Sequence, residues 1–346
     1  MKVLTIIVPV YNTEKYIKRC LDSLDNKETN PKVEVLIVSD GSKDNSIKIA
    51  KEYEKKEPNT FKVIEKENGG HGSTINKGLE LATGKYFRVL DSDDWVDNKN
   101  FIEYVKDLEK LDTDLIITDY SKELIYEGKS LKIKYKDLKP NKKYNFNTLD
   151  LNILNGDYFV MATSTYKTEI LKKSKLHLME KTFYVDMQYN VVPIPYVNNF
   201  VYLNLDIYRY FIGRKDQSVN TSSFVKNHLN HEKVVKYLIE FYTNLDSNIS
   251  TTKKEYIKMI IKYILFTHYS IYCLYFDKKS DGYKFAKKFD EYLLNTSREL
   301  YNESNISFVK IYRKLKFIPI LILFNNLKEV IIRIAKGLRS ALWKKY

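Results

Sequence analysis

Three carboxylates crowd one short stretch at Asp91, Asp93 and Asp94, directly after the apolar-rich run Lys85–Leu90. Carboxylates this close repel one another, so a hard divalent cation with oxygen ligands is their natural neutraliser. Mg2+ or Mn2+ also keeps coordination positions open for substrate phosphates. The chemistry suggested is cation-assisted handling of a nucleotide diphosphate. The stretch also reads as a solvated acidic turn leading into a helix, because Asp97 and Asn98 stand just before Phe101 and Ile102. Position favours the first reading, since ligands of open α/β sheets gather at the carboxyl ends of strands.

The elements that must carry this turn follow from the hydrophobic pattern. Val3–Val8 is an apolar run broken by Thr5 and ending at Pro9, Val10, Tyr11 and Asn12, as expected of a buried parallel strand. A helix capped at Asn12 or Thr13 follows, with Tyr16, Ile17, Cys20, Leu21 and Leu24 at helical spacing. Val33–Val38 is a second strand, closing on a loop through Ser39, Asp40, Gly41 and Ser42, with a helix from about Asp44. Phe61–Ile64 is a third, followed by the glycine-rich loop Asn68–Thr74 and a helix that Gly84 ends. Tyr86–Leu90 and Asp114–Thr118 complete the alternation, which predicts a mostly parallel sheet covered by helices on both faces.

Past Asp119 the pattern shifts to a hairpin at Leu124–Lys129 and alternation through Leu131, Ile133 and Tyr135. Tyr158–Tyr166 reads as a strand and Thr168–Lys173 as a helix. A further helix opens at Phe183–Tyr189 and ends at Pro193 and Pro195, before a strand at Phe200–Phe211. From Phe224 onward apolar residues recur every three or four positions, which predicts a helical C-terminal region.

The chain has 346 residues, 44% hydrophobic and 29% charged, and a net charge of +14. That composition suits a large folded domain with an extension and excludes a disordered chain. Cys20 and Cys273 form neither a disulfide framework nor a metal-ligand spacing, which fits a reducing compartment. The short apolar start ending at Pro9 is too brief for a secretory leader, so a cytoplasmic location is expected. Between Phe308 and Tyr346, ten basic residues face a single acidic one, Glu329, a net +9. Charge this local argues against a general nucleic-acid surface. Phe317–Phe324 is apolar on all sides but far shorter than the roughly twenty residues that span a bilayer. It reads either as a buried core helix or as an interfacial segment. The flanking basic residues with Trp343 and Tyr346 favour the second, in peripheral contact with an anionic membrane face.

Taken in order, Thr5–Asn12, Val38–Ser42, Asn68–Gly70, Gly84–Tyr86 and Asp91–Trp95 resemble the family 2 glycosyltransferases of GT-A fold, over roughly residues 1–215. The resemblance implies a Rossmann-like α/β domain at 1–215; the hydrophobic and charge patterns make 216–346 a helical extension whose basic tail begins at about 305. It implies that Pro9 and Tyr11 line a base pocket, that Asp40 accepts from a uracil-type imide, and that Asn68 lies beside the base. Asp91 and Ser92 then fall to the donor and Asp93 to Mn2+ or Mg2+. Arg214, near Gln217 and Ser218, falls in a loop over the donor phosphates. Asp186 is the implied catalytic base, with Val185 where the family often carries a glutamate. Asp40 also reads as an Asx-turn residue, Asn68 as a left-handed turn residue, Asp186 as a helix N-terminal residue, and His71 as a turn residue or a phosphate contact. Two departures leave the donor open: Ser39 replaces the first of two usual aspartates, and Ile75 stands where an arginine is frequent.

The expected function is inverting, metal-dependent transfer of a sugar from a nucleotide diphosphate donor, UDP-linked, to a hydroxyl of a surface glycan or lipid-linked glycan at the inner membrane face. The alternatives are a nucleotidyltransferase on a similar sheet and a non-catalytic glycan or membrane scaffold. The first would need a glycine-rich, lysine-bearing opening loop that this chain lacks.

Overall fold

Leu4–Val10 forms strand β1, and every one of its residues is buried, as an apolar run covered on both faces must be. Thr5 is the polar exception, and its hydroxyl is satisfied by Glu34 Oε2 at 2.8 Å. The computed structural model describes residues 2–213, 220–305 and 307–317. The chain divides into two compact units, Met1–Arg214 and Lys215–Tyr346.

In the first unit β1 is followed by α1 (Ile17–Leu24), β2 (Val33–Ser39), α2 (Ser46–Lys56), β3 (Phe61–Glu65), α3 (His71–Leu81), β4 (Tyr86–Val89), β5 (Trp95–Val96) and α4 (Asn98–Lys110). Next come β6 (Leu115–Leu124), β7 (Lys129–Ile133), β8 (Lys143–Asn145), β9 (Ser164–Lys167), α5 (Thr168–Lys173), α6 (Asp186–Val191) and β10 (Asn199–Ile212). The sheet order is β3-β2-β1-β4-β9-β6-β10-β5, with β7 on β6 and β8 on β10. β3, β2, β1 and β4 are parallel. β9 runs antiparallel to both β4 and β6, joining that half to the parallel pair β6 and β10. Leu4, Ile6 and Val8 pack with Ile17, Leu21, Phe101 and Tyr104 in the core. The expected mostly parallel sheet with flanking helices is present.

Three expectations change. The helix expected to be capped at Asn12 or Thr13 begins at Ile17 after Tyr16, with no side-chain cap bond. The strand read across Tyr158–Tyr166 is mostly a turn: a 3-10 segment covers Met161–Thr163 and only Ser164–Lys167 pairs in the sheet. The amides and hydroxyls of Thr163 and Ser164 all donate to the Val160 carbonyl within 3.1 Å, a local alternative to the ladder that hydroxyl side chains promote. The helix read from Phe183 begins only at Asp186, because Tyr184 sits in the left-handed region at φ 66.

The second unit is helical where described: α7 (Thr221–Lys226), α8 (His228–Thr243), α9 (Thr251–Ser270), α10 (Lys279–Thr296), α11 (Arg298–Glu303) and α12 (Ser307–Lys314). A π-helical turn, Ile271–Tyr275, extends α9. The His231 and His268 rings stack in parallel with an Nδ1–Nδ1 separation of 3.1 Å. Arg313 binds Asp290 at 2.7 Å and lies over the Tyr301 ring. Both cysteines are free and buried. No helix among the described residues is long and apolar enough to cross a membrane. Most of the Phe317–Phe324 stretch, with Trp343 and Tyr346, lies outside the described residues.

Candidate active site

The acidic turn leaves β4 at the carboxyl end of the parallel strands and closes through Asp94 N–H to the Asp91 carbonyl at 2.9 Å. Its three aspartates do not share one environment. Asp94 is buried; its Oδ2 accepts from the Tyr208 hydroxyl at 2.5 Å and its Oδ1 from Phe211 N–H at 2.8 Å. Burial, with Asp93 and Asp91 close by, pushes its carboxyl well above the usual carboxylate range. The crowding of three carboxylates read from sequence is therefore a structural anchor plus two residues, Asp91 and Asp93, that are only partly buried.

Two neighbours set the turn in place. The Tyr208 hydroxyl also accepts from Asp91 N–H at 3.3 Å. Arg19 on α1 lays its guanidinium 3.6 Å over the Trp95 ring and donates to the Asp93 carbonyl at 2.9 Å. A cation stacked on an indole and bonded to backbone holds the turn from the helix side. Ser92 is buried within the turn.

Across from it, His71 opens α3 and places Nε2 2.8 Å from Asp91 Oδ1. Burial alone would lower the imidazole pKa, but Asp91, with Asp186 and Asp93 adding, raises it above its ordinary value. Asp186, the first residue of α6, is half-buried. Burial raises its carboxyl, the His71 charge opposes this, and the balance is upward. Burial and the same acidic group, Asp94, Asp91, Asp93 and Asp186, push the Tyr210 phenol up, which puts Tyr210 within the field of the site.

The nucleoside-side residues also meet. Pro9 and Val10 pair in register with Val38 and Ser39, and Asp40 N–H donates to the Val10 carbonyl at 2.8 Å, so Pro9, Tyr11 and Asp40 share one end of the sheet. Tyr11 is 54% exposed, enough to present its ring to a ligand. Asp40 is already committed: it is buried, and its oxygens accept from Gly69 N–H at 2.8 Å, Gly70 N–H at 2.7 Å and Lys66 Nζ at 3.1 Å. Burial works against the charge, yet these donors outweigh it and hold the carboxyl below the usual range. Main-chain groups thus engage the carboxylate that the resemblance gives to a base imide, and Asp40 holds the glycine loop. Asn68 donates to the Asp40 carbonyl at 3.0 Å and braces the same corner. Arg214, Gln217 and Ser218 lie outside the described residues.

Among the described residues no group of three or more His, Cys, Asp or Glu side chains forms a metal cage. Two part-exposed carboxylates still fit Mg2+ or Mn2+, which is commonly held by one or two carboxylates and completed by substrate phosphates.

Residues 5–173 match the family model for glycosyl transferase family 2. Over that stretch the chain is similar to this family. EpsH of Bacillus subtilis (strain 168), described as a glycosyltransferase, is 44% identical over 127 residues, covering 37% of this chain and 36% of EpsH. The minor teichoic acid biosynthesis protein GgaB of the same organism is 38% identical over 98 residues, 28% of this chain and 11% of GgaB. The matches therefore span well under half the length of these relatives. Among solved structures, Staphylococcus aureus TarS 1–349 in complex with UDP-GlcNAc superposes with a TM-score of 0.65 at 18% identity, covering all of this chain and 93% of that one. The fold is the GT-A arrangement that the motif order implied, followed by C-terminal helices.

Arg19, Tyr208 and Tyr210 were not singled out in the sequence. Arg19 reads as an ordinary polar position of an amphipathic helix, and nothing in a single strand's alternation marks which tyrosine will reach a turn more than a hundred residues away. His71 carried a weak signal, a histidine within a glycine-rich loop.

Proposed function

We propose that the chain transfers a sugar, with inversion, from a nucleotide diphosphate donor to a hydroxyl of a cell-envelope glycan. UDP is the favoured nucleotide and a lipid-linked glycan the favoured acceptor. The observation that supports the reading is the 2.8 Å contact between a donor-side carboxylate, Asp91, and His71 at the carboxyl end of the sheet, with the base candidate Asp186 within electrostatic reach of the same imidazole. The teichoic acid function in GgaB's name and the UDP-GlcNAc held by TarS support the product and donor classes.

In this reading Pro9 and Tyr11 flank the base, Asp40 and Asn68 keep the glycine loop closed around it, and Asp91 meets the ribose. A divalent cation on Asp93 would neutralise the diphosphate as it departs. Asp186 accepts the proton of the acceptor hydroxyl while that oxygen bonds to the anomeric carbon. The carbon–diphosphate bond breaks on the opposite face and its electron pair leaves with the phosphate. A carboxyl raised by burial is a stronger base than an exposed one, and Asp186 has that character. His71 orients Asp91 through the 2.8 Å contact, and the neighbouring carboxylates favour its protonated form. Peripheral attachment to the inner membrane face through the basic tail belongs to the same proposal and brings the site to a lipid-linked acceptor.

The test is turnover of UDP-GlcNAc and other nucleotide sugars with Mn2+, followed as released nucleotide, in the native chain and in Asp186→Asn. Release from one donor that depends on Asp186 supports transfer. Undiminished release in Asp186→Asn removes that residue from the role of base.

A further inference from the structure

The segment that leads to Asp186 is strapped to the helix that opens at the glycine loop. Asn76 on α3 makes a two-way bond to the backbone of Leu178: its Oδ1 accepts from Leu178 N–H at 2.8 Å and its Nδ2 donates to the Leu178 carbonyl at 2.9 Å. Three residues on, Lys181 N–H donates to the Gly69 carbonyl at 2.5 Å. Between these bonds the packing leaves no slack. A Cβ at Gly72 would lie 2.5 Å from the Met179 carbonyl oxygen, and one at Gly70 would lie 3.0 Å from Lys181 N. The strap is tied to α6 as well, because Gln188 Oε1 accepts from Met179 N–H at 2.9 Å.

Lys181 and Tyr184 both have left-handed backbone, φ 50 and φ 66, a conformation that non-glycine residues hold only when surrounding contacts impose it. Asp40 grips the amides of Gly69 and Gly70 from the other side. The loop is therefore held between the end of β2 and the strap, which runs through Leu178–Lys181 toward Asp186. Asn76 is the side chain that supplies the strap with both a donor and an acceptor.

We propose that Asn76 is a positioning residue: through Leu178–Lys181 it couples the glycine loop to the base-bearing α6, so that seating a nucleotide on the loop also fixes Asp186. This rests on the donor-site reading above, and the experiment separates the two. Amide hydrogen exchange of residues 178–186 is followed in the full chain with and without UDP and Mn2+, with GDP and dTDP as parallel arms, and each nucleotide affinity is measured calorimetrically. In the native protein, nucleotide should slow exchange across 178–186 by about tenfold or more. In Asn76→Ala that protection should fall below about twofold while nucleotide affinity stays within about threefold, because the loop still closes on Asp40. Asn76→Asp keeps the acceptor for Leu178 N–H but loses the donor, and should fall between the two; it also serves if the alanine variant does not fold. Protection retained in a variant that binds nucleotide, or no protection in the native protein despite binding, overturns the coupling alone. Failure of every nucleotide to bind the native chain overturns the donor site, and this inference with it.

Discussion

The hydroxyl of Tyr208 donates to Asp94 Oδ2 at 2.5 Å while accepting from the backbone N–H of Asp91 at 3.3 Å. One phenol on β10 thereby removes a carboxylate from the acidic turn and fixes the backbone of another. Tyr208→Phe leaves Asp94 Oδ2 buried without its donor. The expected cost is about 1–3 kcal/mol of the first unit's stability, measured by denaturant unfolding. A change below about 0.5 kcal/mol would mean that solvent reaches Asp94.

Asp40 is predicted to act through the loop it holds. Asp40→Asn keeps an acceptor but loses the ion pair to Lys66 and sets an amide N–H2 against one of the glycine amides. Nucleotide affinity should fall by about tenfold or more, with faster exchange of the Gly69 and Gly70 amides. Weakened affinity with unchanged loop exchange would instead favour direct base contact.

Asp186→Asn should leave nucleotide affinity within about threefold and lower sugar transfer by about 100-fold or more, the loss expected of a general base. Parallel losses in both would place Asp186 among the donor-binding groups, and the calorimetric and turnover measurements together decide between them.

The order of strands and helices was legible because β1 and β2 are apolar runs and each following helix has a clear polar break, so local pattern and burial agree. The roles within Asp91–Asp94 were not. Sequence spacing shows three similar carboxylates, and only the long-range arrival of Tyr208 and Phe211 divides them. Asp40 illustrates the same limit: its partners Gly69 and Gly70 lie about thirty residues away and compete with any ligand for the same oxygens. The start of α6 was displaced by one backbone conformation, that of Tyr184, which no hydrophobic period records. Arg88 is a further case. It lies in an apolar strand yet is fully buried, with its guanidinium bonded to Thr118, Thr165 and the Ala162 carbonyl.

The second unit should be acid-sensitive. His231 and His268 are buried against each other, with His228 and Lys236 adding like charge on His268, while Glu232 acts on His228. Burial pushes the His231 pKa down to about 3, and burial with the neighbouring His231 charge pushes His268 well below its ordinary value. The unfolded chain, with ordinary histidines near 6.5, binds more protons than the fold, so stability is complete above that pH and declines below it. Between pH 7 and 5 the loss from His231 should be about 2 kcal/mol, with His268 acting in the same direction. His268→Phe should flatten that dependence in a thermal unfolding series, whereas an unchanged slope would show that the pair is protonated in the fold.

The most direct test is calorimetric titration of UDP, GDP and dTDP into the full chain with Mn2+ and again with chelator, in the native protein and in Asp93→Ala. The account predicts cation-dependent binding of one nucleotide, weakened by about tenfold or more in Asp93→Ala. Equal binding with chelator and in the variant would contradict the assignment of Asp93 to the cation. Binding of no nucleotide under any condition would contradict the transferase site itself.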